Sequence, residues 1–420
     1  MKTLYNYMMI VIFSLSFVGL SAQSRDLQNY RLPDQRGINQ FETKKDTTTT
    51  FDKVFVRVGA SSALQLQAVD HENSGAVALK EIGTNFNLAT ANLDLDVVLF
   101  DGVRMHLRTY LSSRHHPEPY VKGGYIQFDK LDFISEGFLG DFMKHATIKI
   151  GHMENNYGDA HFRRSDNSSA IYNPFVGNLI MDGFTTEVGA ELYYQNNGWL
   201  AMIGFTNGKL NQGVDNPDTG GASFLAKFGY DKQLNEDFRF RLTGSMYNTG
   251  AVRRSYLYSA DRTGSRYYLV LEDEDASARS NFRSGRYNPS MNNQITAIMF
   301  NPFIKYGGLE FFGTIESTKG KADSEAEERT AKQFAGELIY RFGQNEKFFI
   351  GGRYNKVDSE DVSGDDIEIS RTQFGAGWFM TKNILAKLEY VRQKHDGYSS
   401  SSIFHDGKFN GLMVETVISF

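Results

Sequence analysis

From residue 54 to Phe420 the chain repeats one pattern, in which every second side chain is apolar and those between are charged, amide or hydroxyl. In 54–68, Val54, Val56, Val58, Ala60, Ser62, Leu64, Leu66 and Ala68 share one face, and Arg57, Gln65 and Gln67 the other. A period of two is the signature of a strand, whose successive side chains point to opposite sides. The pattern returns in 89–97, where Asn92, Asp94 and Asp96 form the polar face. After an Asp101-Gly102 turn it returns in 103–111, where Val103, Met105 and Leu107 oppose Arg104, His106 and Arg108. Further runs fall at 120–129, 145–152, 184–194, 199–206, 223–230, 238–247, 293–305, 309–316, 333–342, 348–357, 368–379, 384–393 and 408–420, which makes sixteen. The connections alternate as well. They are short at 196–198, 231–237, 307–308, 343–347 and 381–383, and long and polar at 207–222, 248–292, 317–332 and 394–407.

Energy decides what each face meets. An arginine facing hydrocarbon near a bilayer midplane costs about 2–4 kcal/mol, so Arg104 with Arg108, and Arg239 with Arg241, must face inward. An even number of strands with short turns at one end and long loops at the other is the plan of a bacterial outer-membrane barrel. The expected fold is therefore all-β: a transmembrane antiparallel β-barrel of 16 strands. Eighteen is the alternative if 248–292, which contains a strand-like 267–271, supplies a further hairpin. A mean hydropathy of -0.42 is compatible with this plan, because every second strand residue faces water. No run approaches the ~20 apolar residues of a helical span. The last strand, 408–420, is expected to close on 54–68, with Phe420 toward lipid and Glu415 toward the lumen.

Lys2, the apolar run 8–20 and Leu20-Ser21-Ala22 read as a secretory signal peptide over 1–22. Residues 23–52, polar and with four consecutive threonines at 47–50, read as a mobile periplasmic leader, a short plug or extra strand being the other reading. Residues 53–420 are then the barrel. The absence of cysteine excludes a lipid-modified N-terminal cysteine and disulfides. A net charge of -5 argues against a nucleic-acid partner. The expected location is the bacterial outer membrane, with lipid and lipopolysaccharide as surroundings and either a monomer or a homotrimer as the assembly.

Glu154-Asn155-Asn156-Tyr157-Gly158-Asp159, Phe162-Arg163-Arg164-Ser165-Asp166-Asn167, Asn173-Pro174-Phe175, Met181-Asp182 and Phe184-Thr185-Thr186-Glu187 together resemble porins of the Bacteroidetes type, relatives of the phosphate-selective porin O and P family. The resemblance is most specific over 150–195. It implies a 16-stranded pore whose third external loop, here 153–183, folds inward to narrow it. The arginine ladder and lysine ring of the phosphate-selective members have no position-by-position counterpart in this chain.

Rings of charged side chains set the ion preference of a pore. The inward faces carry basic residues that include Arg57, Arg104, Arg108, Lys122, Lys149, Lys227, Arg239, Arg241, Arg341, Arg353, Arg371 and Lys387. The acidic ones include Asp94, Asp96, Glu187, Glu191, Glu310, Glu316, Glu337, Glu389 and Glu415. Either these pair across the wall, or their slight basic excess gives a weak preference for anions. For the constriction the candidates are Arg163 and Arg164 with Asp159 and Asp166. Guanidinium forks suit carboxylate and phosphate, and the same arginines could instead anchor the loop to Glu187 or Glu191. His106 is expected among the pore-lining groups. His115-His116 and the acidic stretches 272–275 and 358–368 match no metal-ligand spacing, and no serine or histidine has the partners of a hydrolase. No metal, cofactor or enzymatic step is assigned. The expected activity is passive diffusion of small hydrophilic solutes through a porin. The alternative is a scaffold whose large external loops, above all 248–292, bind a secretion or surface-lipoprotein partner.

Overall fold

The computed structural model describes residues 30–45, 51–112, 119–165, 169–210, 221–260 and 266–420. The signal-peptide segment, His115, His116 and Asp166 lie outside them. Sixteen strands follow in order: β1 (Phe55–Glu72), β2 (Asn85–Phe100), β3 (Val103–Ser112), β4 (Tyr120–Phe128), β5 (Ala146–Glu154), β6 (Thr186–Asn196), β7 (Trp199–Thr206) and β8 (Ser223–Gln233), then β9 (Phe238–Thr249), β10 (Gln294–Tyr306), β11 (Leu309–Lys321), β12 (Arg329–Phe342), β13 (Phe348–Glu360), β14 (Asp366–Thr381), β15 (Ile384–Asp396) and β16 (Lys408–Ser419). Each pairs antiparallel with the next, and β16 returns to β1, closing the barrel. At the seam Ser61 faces Ser419, Gln65 faces Glu415 and Glu72 faces Lys408. Closure leaves no unpaired edge, the condition for strands in hydrocarbon. The alternative of eighteen strands fails because 267–271 forms turns, with positive φ at Leu269 and Leu271.

The outward face is apolar: Phe228, Phe300, Leu338, Phe374 and Leu412 all stand exposed on it. At the short-turn end it carries an aromatic girdle, in which Trp199 stacks on Phe228 at 5.4 Å and Phe348 on Trp378 at 6.3 Å. Asn197 and Gly198 both take positive φ, the two-residue turn that matches strand twist.

The inner face holds a finding that the alternation did not anticipate. Side chains of sixteen strands cannot fill such a ring, and here the chain itself does so. Three segments occupy much of the lumen: residues 30–45 from the short-turn end, residues 155–165 and 169–185 of the third long loop, and residues 250–260 and 266–293 of the loop at the opposite end. Over β7–β15 the inner positions include, among the polar ones, the apolar side chains of Leu200, Met202, Leu225, Ile295, Met299, Val357 and Ile369, which form one buried cluster with Tyr157, Ile180 and Met181 of the third loop. Apolar inner positions would be wasted on a wide aqueous pore; they bury surface only because loops pack on them.

Residues 30–45 do not trail away as a mobile leader. The Tyr30 hydroxyl donates to the carbonyls of Met105 at 2.8 Å and Val97 at 3.2 Å. The backbone amide of Gln35 donates to the Lys382 carbonyl at 2.8 Å. Asn39 donates to Glu310 at 2.7 Å, and Phe41 packs against Phe303 and Phe162. The Glu42 carboxylate meets Lys227 at 2.8 Å and Arg241 at 2.7 Å. Lys45 then donates to the carbonyls of Met143 and Ala146. The segment thus runs around the short-turn mouth from the β2–β3 wall past the β14–β15 turn to β8, β9 and β5. Its composition looked like a solvated tail because its partners are far away in sequence.

Candidate functional site

The third loop is built into the lumen through its backbone. A buried loop must find partners for its amides and carbonyls, and the inward charges of the wall supply them. Lys387 donates to the carbonyls of Ala170, Asn173 and Phe175 at 2.9–3.1 Å. Arg353 donates to the Gly177 carbonyl at 2.7 Å, and Arg371 to that of Asn178 at 2.6 Å. Glu389 accepts from the Val176 amide at 2.7 Å. A Cβ on Gly177 would lie 2.0 Å from the Tyr267 hydroxyl, so only glycine lets the two inner loops meet there.

The sequence candidates divide between this anchoring and an open space. Asp159 is fully buried, 2.7 Å from both Lys227 and Arg241, and accepts from the Thr243 hydroxyl at 2.8 Å. Arg163 is buried against Glu337 at 3.1 Å and also donates to Asn39. Arg241, Arg353, Glu187 and Glu191 lie in the same packed part. Glu187 accepts from Tyr247 at 2.8 Å, and Glu191 from the Asn156 amide at 3.1 Å. Arg239 holds Asp231 at 2.7 Å and the Asn39 carbonyl at 2.9 Å, and Arg104 holds Asp129 at 2.7 Å.

The open space lies elsewhere. A cavity of about 260 Å³ runs between the third loop and the wall formed by β1–β6, with residues 30–45 along its short-turn side. His106, Arg108, Lys149 and Arg164, all candidates from the sequence, line it, together with Arg31, Lys45, Arg57, Lys122, Glu42, Asp94, Asp96, Asp129 and Glu154. Its carboxylates are engaged. Asp96 accepts from Arg57 and from His106 Nδ1 at 2.6 Å, and Asp94 from Arg108 at 2.7 Å. Asp129 takes Arg104, Glu154 takes His161 Nδ1 at 2.7 Å, and Glu42 takes Lys227 and Arg241. Burial would raise the Glu42 carboxyl, but Arg241 and Lys227 outweigh it and hold it well below the usual carboxylate range. Arg164 forms a two-armed pair with Asp182 at 2.6 and 2.8 Å.

Three cations of the cavity have no ion pair with a carboxylate among the described residues. The Lys149 ammonium sits over the rings of Tyr193 and Tyr125 at 5.0 and 5.5 Å. The Arg31 guanidinium lies on the Tyr172 ring at 3.5 Å and donates to the Gly37 carbonyl at 2.9 Å; burial lowers its pKa to about 10. Lys45 meets only carbonyls, and burial pushes its ammonium down to about 8. Such unneutralised charge sets a field in a low-dielectric cleft. Lys149 was visible as an inward lysine. Arg31 and Lys45 were not, because nothing in their own stretch alternates.

No protein-family model matches the chain, and no curated protein matches its sequence. Solved structures do match in fold. The anion-selective porin from Comamonas acidovorans superposes with a TM-score of 0.55 at 11% identity, over 88% of this chain and 100% of that one. The trimer form of in-vitro folded OmpT, an outer membrane protein of Vibrio cholerae, gives 0.53 at 10% identity, over 88% and 100%. The outer membrane channel DcaP of Acinetobacter baumannii gives 0.51 at 11% identity, over 88% and 98%. At such identities the likeness is one of fold. Together with the closed ring and apolar outer face, it shows a bacterial outer-membrane β-barrel with a porin-like fold.

Proposed function

We propose that the protein is a passive outer-membrane channel for small hydrophilic solutes, with a weak preference for anions. The observation that carries this reading is the cavity along β1–β6, whose carboxylates are engaged by cations or histidine while Lys149, Arg31 and Lys45 have no ion pair among the described residues. Its volume of about 260 Å³ falls just below the roughly 300–1,000 Å³ of ligand-sized pockets, which suits inorganic anions, small carboxylates and simple sugars. In this reading Arg164 and the third loop form one side of the constriction and residues 30–45 another, while Asp159 and Arg163 keep the loop in place. No covalent step and no cofactor are involved. The channel end bearing short turns faces the periplasm.

Planar-bilayer recording of the purified protein tests the reading. Stable conductance is expected, with a reversal potential of anion sign in a salt gradient. A reversal potential of cation sign would remove the anion preference. A silent bilayer would favour the second reading, a scaffold that binds its partner through surface loops. That reading has an observation of its own: residues 30–45, and residues 250–260 and 266–293 of the large loop, pack into opposite ends of the lumen.

A further inference from the structure

On β14, β15 and β16 the outward face is apolar up to the register row Phe374, Tyr390, Leu412. The next row toward the long loops is Thr372, Arg392, Asn410, and the next Ser370, Lys394, Lys408. Arg392, Lys394 and Lys408 are all exposed, so three cations stand just beyond the hydrocarbon belt. Lys394 and Lys408 are directly opposite each other across the β15–β16 ladder, a like-charge pairing that destabilises a sheet unless something negative lies between. Glu72 of β1 meets Lys408 at 2.5 Å, and Lys356 is taken by Asp358 and Glu368 at 3.1 and 2.8 Å. Neither Arg392 nor Lys394 has an ion pair among the described residues. Asp396, two positions beyond Lys394, lies opposite Glu368 in the ladder.

The arrangement is one-sided. From β3 to β10, the outward positions of the strand halves nearest the long loops carry neither lysine nor arginine. A general interfacial belt would encircle the barrel; this one is a patch. We propose that Arg392, Lys394 and Lys408 bind the phosphorylated headgroup of an outer-leaflet glycolipid, its phosphate bridging the two facing lysines and its acyl chains lying on Tyr390 and Leu412. Guanidinium and ammonium donors at headgroup depth are the chemistry that recognises a lipid phosphate. The inference rests on the long-loop end facing outward and does not depend on whether the barrel conducts.

The test uses the full chain folded in detergent micelles and measures binding of bis-phosphorylated lipid A, dephosphorylated lipid A and inorganic phosphate. The phosphorylated lipid should bind preferentially. Lys394→Gln should weaken it about five-fold, and the Arg392→Gln, Lys394→Gln, Lys408→Gln variant about a hundred-fold, following the roughly 1 kcal/mol per basic residue near an anionic surface. These side chains point away from the barrel interior, and heat-shifted gel mobility confirms that each variant has folded. Should the triple variant fail to fold, Lys394→Gln alone decides. Unchanged affinity in the variants, or equal binding of the dephosphorylated lipid, would overturn the assignment. So would displacement of the lipid by millimolar inorganic phosphate, which would make the ligand a free ion.

Discussion

Asp159 is a central anchor of the third loop among the described residues. It lies between Lys227 and Arg241 with no exposure, and its backbone amide is held by Asn301 at 2.8 Å. Removing one partner of a buried ionic cluster costs about 3–5 kcal/mol, because the other charges stay buried. Asp159→Asn is therefore expected to lower stability by about that amount in denaturant unfolding from micelles, while a loss below ~1 kcal/mol would mean that Glu42 alone satisfies both cations. Lys45 gives a pH signature. Its ammonium has a pKa of about 8 in the docked segment against 10.5 for the free side chain, chiefly through burial. The docked state thus binds fewer protons between those values, so docking of residues 30–45 tightens as pH rises from 8 to 10.5 and carries a penalty below 8. The anion preference should fall across the same midpoint as the cation is lost. Reversal potentials at pH 7 and 9 check this, and a flat profile would remove Lys45 from the conducting path. At this scale the sequence disclosed the type of each inward charge but not its use: nothing in the spacing of Arg353 or Lys387 says that each will solvate a loop carbonyl.

Among elements, residues 30–45 and the third loop behave as one unit. Asn39 and Arg163 join them directly, and Tyr172 of the loop lies under Arg31. Deleting residues 30–45 should raise single-channel conductance by at least about two-fold, since conductance follows the open cross-section. Unchanged conductance would show that the third loop alone limits flow. The strands were legible from period two because an error of one residue would put arginines into hydrocarbon. Their ends were less so. β11 to β15 run three to five residues past the expected limits at several long-loop ends, as at Arg329 and Lys321, where Thr, Lys and Asp alternate without an apolar face to mark them. Periodicity alone could not place the two inserted loops and the leader, because an irregular segment has no period. A signal was nevertheless present in the apolar inner positions of β7–β15, which a wide aqueous lumen does not require.

Across the whole molecule, the lumen of a sixteen-stranded ring is largely packed by the chain's own segments, with a cavity of about 260 Å³ along β1–β6. The resemblance seen in 150–195 anticipated an inward third loop, and the loop is there. What it could not convey is that a second and a third segment share the lumen, since those contacts join residues more than a hundred positions apart, as Asn39 does Glu310 and Tyr267 does Glu389. The enclosure of residues 30–45 bears on how such a molecule comes into being. They precede β1, yet they lie inside a ring completed only when β16, the last strand of the chain, joins β1. An early segment surrounded by a late one makes the sequence of events part of the product: the segment must be waiting at the short-turn mouth as the seam zips shut, or thread in afterwards through an opening already crowded by the third loop. Closure of the ring and filling of its lumen thereby involve the same sixteen residues.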